Sequence, residues 1–182
     1  MTDPPPRSPE PTTADLDARR AARRYPDRPI VAVLAVVLRR DQALIVQRAQ
    51  QPNAGRWGFP GGVLELGETV AEGAMRELFE ETGILAKPAG ILDVHDAITR
   101  DADARVQFHY LLIAMRGIWQ SGEGEPADDA AACAWITRDE IVAGRYPTFP
   151  TLLPLLDRAM NAADGAGTSK PSQRRDGGGA AE

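Results

Sequence analysis

The longest apolar stretch of the chain, Ile30 to Leu38, runs nine residues without a polar interruption, and a second, Ala43 to Val46, follows after Arg39-Arg40-Asp41-Gln42. Runs of this length bounded by polar residues predict two buried strands joined by a short turn. A third strand is expected within Ile91–Ile98. A fourth, Val106–Met115, begins by alternating and ends fully apolar, and Ala134–Ile136 reads as a short fifth. Helical spacing appears in three places: Val70 to Thr82, the segment opened by Thr137-Arg138-Asp139-Glu140, and Leu152 to Met160. Strands mixed with a few helices predict an α/β fold, a sheet sandwiched between helices.

The ends of the chain differ from this middle. Residues 1–13 hold five prolines and almost nothing apolar, Ala14–Arg24 has only a thin apolar stripe, and residues 164–182 are Gly, Ser, Ala and charge. The expected organisation is a disordered or weakly helical lead over 1–28, one domain over 29–163 and a disordered tail over 164–182. At 182 residues a single core is the expectation. No apolar run reaches the roughly 20 residues of a membrane-spanning helix. The N-terminus lacks a signal-peptide core, and one cysteine, Cys133, permits no intrachain disulfide, so the sequence reads as cytoplasmic.

Charge narrows the choice of partner. Residues 29–163 carry 18 acidic and 12 basic side chains, a net charge of −6. That disfavours long nucleic acids, while a small anionic ligand remains compatible if a divalent cation mediates its binding.

The acids are concentrated between Gly61 and Gly83, where six glutamates occupy 23 positions. Thr69 and Glu72 form a capping-box pattern, and Gly83 supplies a helix stop. At about 100° per residue, Glu77, Glu80 and Glu81 share an arc of about 100°, opposite Ala71, Ala74, Met75, Leu78 and Phe79. The expectation is a helix that packs on a sheet through one face and turns three carboxylates outward from the other. A solvated acidic face is the alternative. However, repulsion between Glu77 and Glu81 costs about 0.2–0.5 kcal/mol, and Gly73 costs about 1 kcal/mol relative to alanine. A hard divalent cation held by the carboxylates would offset both.

The spacing Gly62, Glu68, Arg76-Glu77-Leu78, Glu80-Glu81, Gly83-Ile84 resembles the Nudix hydrolase box at every fixed position. Trp57-Gly58-Phe59-Pro60-Gly61 ahead of it and the strands on either side are similar to a complete Nudix domain over about 29–160. The resemblance implies a Nudix-type α/β/α sandwich around a mixed β-sheet and a Mg²⁺-dependent hydrolase, with Mn²⁺ as a substitute. Its substrate would be a small nucleotide, a nucleoside diphosphate linked to another group. It further implies that Glu77, Glu80 and Glu81 are metal ligands beside the Gly62 backbone and that Arg76 belongs to the catalytic set. Glu68 and Gly83 brace the box. Arg76 projects about 40° from Glu80, close enough to orient it, and as a cation it makes no metal ligand. The proton acceptor stays open between Glu80 and the acids of Ser121–Asp129.

Around the box, Arg48 and Arg56 are expected substrate contacts, with solvated surface as the alternative. Trp57 could stack on a base or pack in the core; His109 reads as a half-buried strand residue. The segments Pro60–Thr69, Phe108-His109-Tyr110 and Asp128-Asp129-Ala130-Ala131 resemble small bacterial ADP-ribose pyrophosphatase-like proteins. The proline that many such enzymes carry some sixteen residues after the box is absent, with Thr99-Arg100-Asp101 in its place. From the resemblance of those segments and the acidic core, and despite the missing proline, ADP-ribose is the first expected substrate and nucleoside triphosphates, including oxidised ones, the second. A non-catalytic nucleotide-sensing domain is the alternative of a different class. A homodimer is left open.

Overall fold

In a computed structural model, residues 22–51, 53–128 and 130–167 are described. Seven strands form one sheet: β1 (Ile30–Arg39), β2 (Gln42–Arg48), β3 (Trp57–Gly58), β4 (Gly61–Val63), β5 (Leu85–Arg100), β6 (Val106–Ser121) and β7 (Ala130–Thr137). Among the described residues three helices accompany them: α1 (Val70–Thr82), α2 (Arg138–Val142) and α3 (Leu152–Gly167).

β1 explains its own unbroken apolar run. One parity, Val33, Ala35 and Val37, packs with Ala74 and Leu78 of α1, while the other, through Val36, packs with Leu152, Leu155, Leu156 and Ala159 of α3. A strand covered by a helix on each face has no solvent side, so both parities are apolar. The α3 contacts fall at i, i+3, i+4 and i+7, the stripe of an amphipathic helix. The result is the expected α/β/α sandwich. Burial of a side chain such as Leu78, fully enclosed here, contributes about 1.5–3 kcal/mol.

The sheet is mixed, in the order β3-β2-β1-β6-β5. β1 runs parallel to β6, and β5 pairs antiparallel with the other side of β6. β1 meets β2 only at Leu38↔Ala43 and Arg39↔Gln42. Beyond that hairpin the two strands part: β4 joins β1 at Ala32–Leu34, and β2 pairs with β3 and β7. This split opens the sheet between Gly61–Val63 and the end of β2, where both groups of candidate residues lie.

Several boundaries differ from the sequence pattern. β5 starts at Leu85, six residues before Ile91, and absorbs Pro88 and Gly90 through register shifts between Pro88 and Asp93. β3 and β4 are too short to leave a pattern. Residues 22–28, assigned by composition to the lead, form turns tied to the β5–β6 hairpin: Tyr25 N–H donates to Gln107 O (2.8 Å) and the Tyr25 hydroxyl to Asp101 Oδ2 (2.9 Å). α3 continues past Met160 and takes in residues 164–167 of the expected tail, because adding turns to a nucleated helix costs little. Residues 1–21 and 168–182 lie outside the described residues. No described helix is long and apolar enough to cross a membrane.

Candidate active site

α1 begins and ends as its sequence dictates. Thr69 and Glu72 complete a reciprocal capping box, and Gly83 closes the helix in the left-handed conformation at φ 66°. The helix is nevertheless rolled relative to the expected two-faced arrangement. Phe79, expected in the apolar stripe, is 52% exposed, whereas Glu81 is only 4% exposed and Gly73 is buried. The physical cause is a second layer over the acidic face: β4 and the loop Leu64–Glu68 pack there, turning Glu81 inward.

Each carboxylate has a different environment. Glu81 Oε2 accepts the N–H of Gly61 (3.0 Å), and the Glu81 backbone carbonyl accepts the N–H of Ala127 (3.0 Å). The Glu77 side chain is 14% exposed and that of Glu80 46%. Burial raises the Glu77 pKa above the ordinary carboxylate value, with Arg76 opposing and the charges of Glu80 and Asp128 reinforcing the rise. Glu68 moves the other way, held low by its hydrogen bond to Arg76.

Arg76 joins these groups. Its Nε and Nη2 donate to Glu68 (2.5 and 3.0 Å), and its Nη1 donates to both Glu77 Oε1 (3.0 Å) and Glu80 Oε2 (2.9 Å). The guanidinium also reaches the Val63 carbonyl at 3.3 Å, fixing the helix to the end of β4. Five N–H groups in a planar fork make this bridging specific to arginine.

Glycines bring β4 against the helix. A Cβ at Gly62 would overlap the Glu77 carboxylate, and one at Gly61 would strike the Val33 carbonyl. Gly73 is explained similarly: a Cβ there would lie 2.7 Å from Leu64 Cδ1 and 3.0 Å from Glu68 Oε2. Its helix-propensity cost is thus offset by loop packing, rather than by the cation that the sequence pattern suggested.

On the α3 side of the sheet a cavity of about 660 Å³ runs from Gly61 and Gly62 to a wall of β5 and β6 residues. Arg48, Arg56, Phe59 and Phe149 also line it. Gly61 and Gly62 are therefore a seam, with the cavity on one side and Glu77 and Glu81 on the other. A second depression, of about 580 Å³, lies by Arg39, Trp119 and Glu123. There Arg39 already pairs with Glu123 at 2.8 Å and sits over the Trp135 ring.

The NUDIX domain model matches residues 28–156 of the sequence. The chain belongs to the Nudix hydrolase family. Among its relatives are a protein of Methanocaldococcus jannaschii named ADP-ribose pyrophosphatase and a MutT-like protein of Streptomyces ambofaciens. The first is 34% identical over 56% of this chain and 58% of that protein. The second is 33% identical over 75% and 79%. The chain thus matches little more than half the length of the first. A solved MutT NUDIX hydrolase from Burkholderia pseudomallei superposes with TM-score 0.63 at 28% identity, covering 72% of this chain and 98% of that one.

Within this Nudix domain the box residues Gly62, Glu68, Arg76, Glu77, Glu80, Glu81 and Gly83 come together as one loop–helix unit. Among the described residues no three acidic, histidine or cysteine side chains form a ready-made metal-binding group. Arg76 holds Glu77 and Glu80, and Gly61 holds Glu81. The donor chemistry still fits a hard divalent cation: the candidate set is all oxygen, and the buried Glu77 has a charge that burial disfavours.

Outside the box, Arg48 and Arg56 both line the cavity, with Arg56 Cζ 5.7 Å from the Phe149 ring centroid. Trp57 packs its ring edge-on against Tyr146 at 5.1 Å and belongs to the core rather than to the cavity lining. Of the loop acids, Glu123 pairs with Arg39, while Asp128 is the one whose charge acts on Glu77. Asp129 is outside the described residues. His109 turns to the outer face, 3.3 Å from Asp96. The histidine on the cavity side is His95, which the sequence pattern did not single out. The alternation of Phe108, His109 and Tyr110 hinted at a shared face for the two aromatics, but only the β5–β6 register adds His95 to it.

Replacing Gly62 by alanine is expected to push the Glu77 carboxylate off the seam and lower hydrolysis at least about tenfold, or 1.4 kcal/mol in transition-state stabilisation. Initial rates beside an unchanged far-ultraviolet circular dichroism spectrum test this; a wild-type rate would remove Gly62 from the site.

Proposed function

We propose that the protein is a Mg²⁺-dependent pyrophosphohydrolase, with Mn²⁺ able to substitute. Water opens the diphosphate of a nucleoside diphosphate linked to another group, and ADP-ribose is the preferred substrate. The observation that carries this reading is the Gly61–Gly62 seam: two glycines separate a nucleotide-sized cavity holding Arg48 and Arg56 from the carboxylates of α1. Cavities of some 300–1,000 Å³ suit small ligands.

Glu77, Glu80 and Glu81, with the backbone at Gly62, would hold the cation. Bound there, the cation would supply charge to neutralise phosphate oxygens and to favour ionisation of water. Arg76 acts as a positioning residue, aiming Glu77 and Glu80 while Glu68 orients the guanidinium. Arg48 and Arg56 draw the anionic substrate into the cavity, a needed contribution in a domain of net charge −6. Glu80, the most open of Glu77, Glu80 and Glu81, and Asp128, the loop acid acting on Glu77, are the proposed acceptors of the proton from water.

The name of the M. jannaschii relative, ADP-ribose pyrophosphatase, supports ADP-ribose, and nucleoside triphosphates are the second reading. At neutral pH a diphosphate diester carries about two negative charges fewer than a triphosphate, which suits an acidic domain better. The intact set of box carboxylates supports catalysis over a sensing role.

Three measurements test the proposal. Chelation of divalent cations should abolish turnover, and Glu81→Gln, which preserves an acceptor for the Gly61 N–H but removes the charge, should fold and lose most activity; undiminished rates in excess chelator would end the metal reading. Comparing Glu80→Gln with Asp128→Asn identifies the base: the variant that loses the acidic limb of the pH–rate profile, the rise in rate as the base deprotonates, is the one that removed it. If neither changes the profile, both are excluded. Finally, kcat/KM for ADP-ribose should exceed that for each nucleoside triphosphate at saturating Mg²⁺, giving AMP and ribose 5-phosphate as products. A triphosphate ahead by about tenfold, or 1.4 kcal/mol, would reverse the substrate order.

A further inference from the structure

Cross-strand register places six side chains on one face of the β5–β6 ribbon. His95 pairs with Leu112, Ala97 with Tyr110 and Thr99 with Phe108, and all six residues line the cavity. Directly paired residues in an antiparallel sheet share a face. Phe108 and Tyr110 lie nearly parallel, with ring centroids 6.4 Å apart and planes inclined by 14°. The wall is thus flat and largely apolar, broken by the His95 ring and the hydroxyl groups of Thr99 and Tyr110.

His95 is unusual in this setting. Its Nε2 is shielded from solvent and has no hydrogen-bond partner. Buried polar atoms are nearly always paired, because a missing partner leaves the cost of desolvation uncompensated. The ring therefore has an unmet hydrogen bond at the wall of a ligand-sized cavity.

The same register measures its distance from the box. Val63 pairs with Ala32, Ala32 with Leu112, and Leu112 with His95, one continuous row across β4, β1, β6 and β5. Three strand spacings separate the ends of this row by about 14 Å. One end adjoins Gly62 and the carboxylates; the other is the flat wall. An extended 5′-nucleotide has the same asymmetry, with charge at one end and a planar heterocycle with polar edges at the other.

We propose that His95 binds the nucleobase of the substrate, with the imidazole turning about its Cβ–Cγ bond to offer Nε2 to a polar edge of a base seated against Phe108 and Tyr110. The diphosphate then lies toward Gly61 and Gly62. This assignment rests on the nucleotide reading of the site and adds the direction in which the substrate lies and the residue that senses its base. His95 makes no contact with the box and is a specificity-determining residue rather than part of the hydrolytic machinery.

Binding without turnover separates this proposal from the proposed activity. AMP and ribose 5-phosphate are titrated calorimetrically into the full chain and into His95→Leu and His95→Gln. The leucine variant should bind AMP about tenfold more weakly while its affinity for ribose 5-phosphate changes less than twofold, and the glutamine variant should recover part of the loss. In the wild-type protein, AMP but not ribose 5-phosphate should shift the His95 Nε2 resonance in nitrogen-15 spectra. Unchanged AMP affinity in His95→Leu, equal losses for both ligands, or no binding of AMP to the wild type would each overturn the assignment. Should the wild type hydrolyse no nucleoside diphosphate yet show the expected AMP pattern, the proposed activity fails and the base site stands.

Discussion

The guanidinium of Arg76 holds Glu68 from the loop on two nitrogens and bridges Glu77 and Glu80 of the helix with a third, so one cation organises three carboxylates. Like charges at this spacing would otherwise weaken α1 and drive the loop away from it. Partial burial strengthens the attraction while making the loss of either partner expensive. Through the Val63 carbonyl, the same side chain ties the helix to β4 and hence to the sheet. The helix, its preceding loop and the short strand thereby behave as a unit.

That unit depends equally on what is missing from β4 and α1. Gly61, Gly62 and Gly73 occupy contacts where a single methyl group would meet a backbone carbonyl, a carboxylate or a packed leucine. Close approach lets the Gly61 N–H satisfy the buried Glu81 carboxylate, a charge that could not stay buried without a partner. It also makes the barrier between the carboxylates and the cavity only one backbone thick. The parting of β1 from β2 gives that backbone its place in the sheet.

The sandwich has a corresponding division of labour. Core residues of β1 face α1 and α3 alternately, fixing the sheet rigidly between two helices, while the β5–β6 ribbon extends past the core and carries side chains for the cavity wall. Elements that are stiff because they are buried position groups that are chemically useful because they are partly open. Asp128 follows the same logic on the opposite side: backbone hydrogen bonds from Glu125 to Thr82 and from Ala127 to Glu81 hold its loop along the C-terminal end of α1.

Local chemistry made much of this protein legible in its sequence. The unbroken run of β1 required a strand buried on both faces, Thr69, Glu72 and Gly83 delimited α1, and the spacing of seven residues between Gly62 and Gly83 identified the family. Each of these signals depends on neighbours a few residues apart. Tertiary structure decided what depends on distant partners. It rolled α1 so that Glu81 went in and Phe79 stayed out, because β4 covers the acidic face; it gave Gly73 a packing role against Leu64; and it chose between the two histidines. A sequence fixes that alternate strand residues face opposite ways, but not which parity faces inward once bulges shift the register. His95 faces the cavity and His109 faces away because β5 pairs with β6 as it does, setting His95 opposite Leu112 and His109 opposite Ile98, relations that no local pattern records.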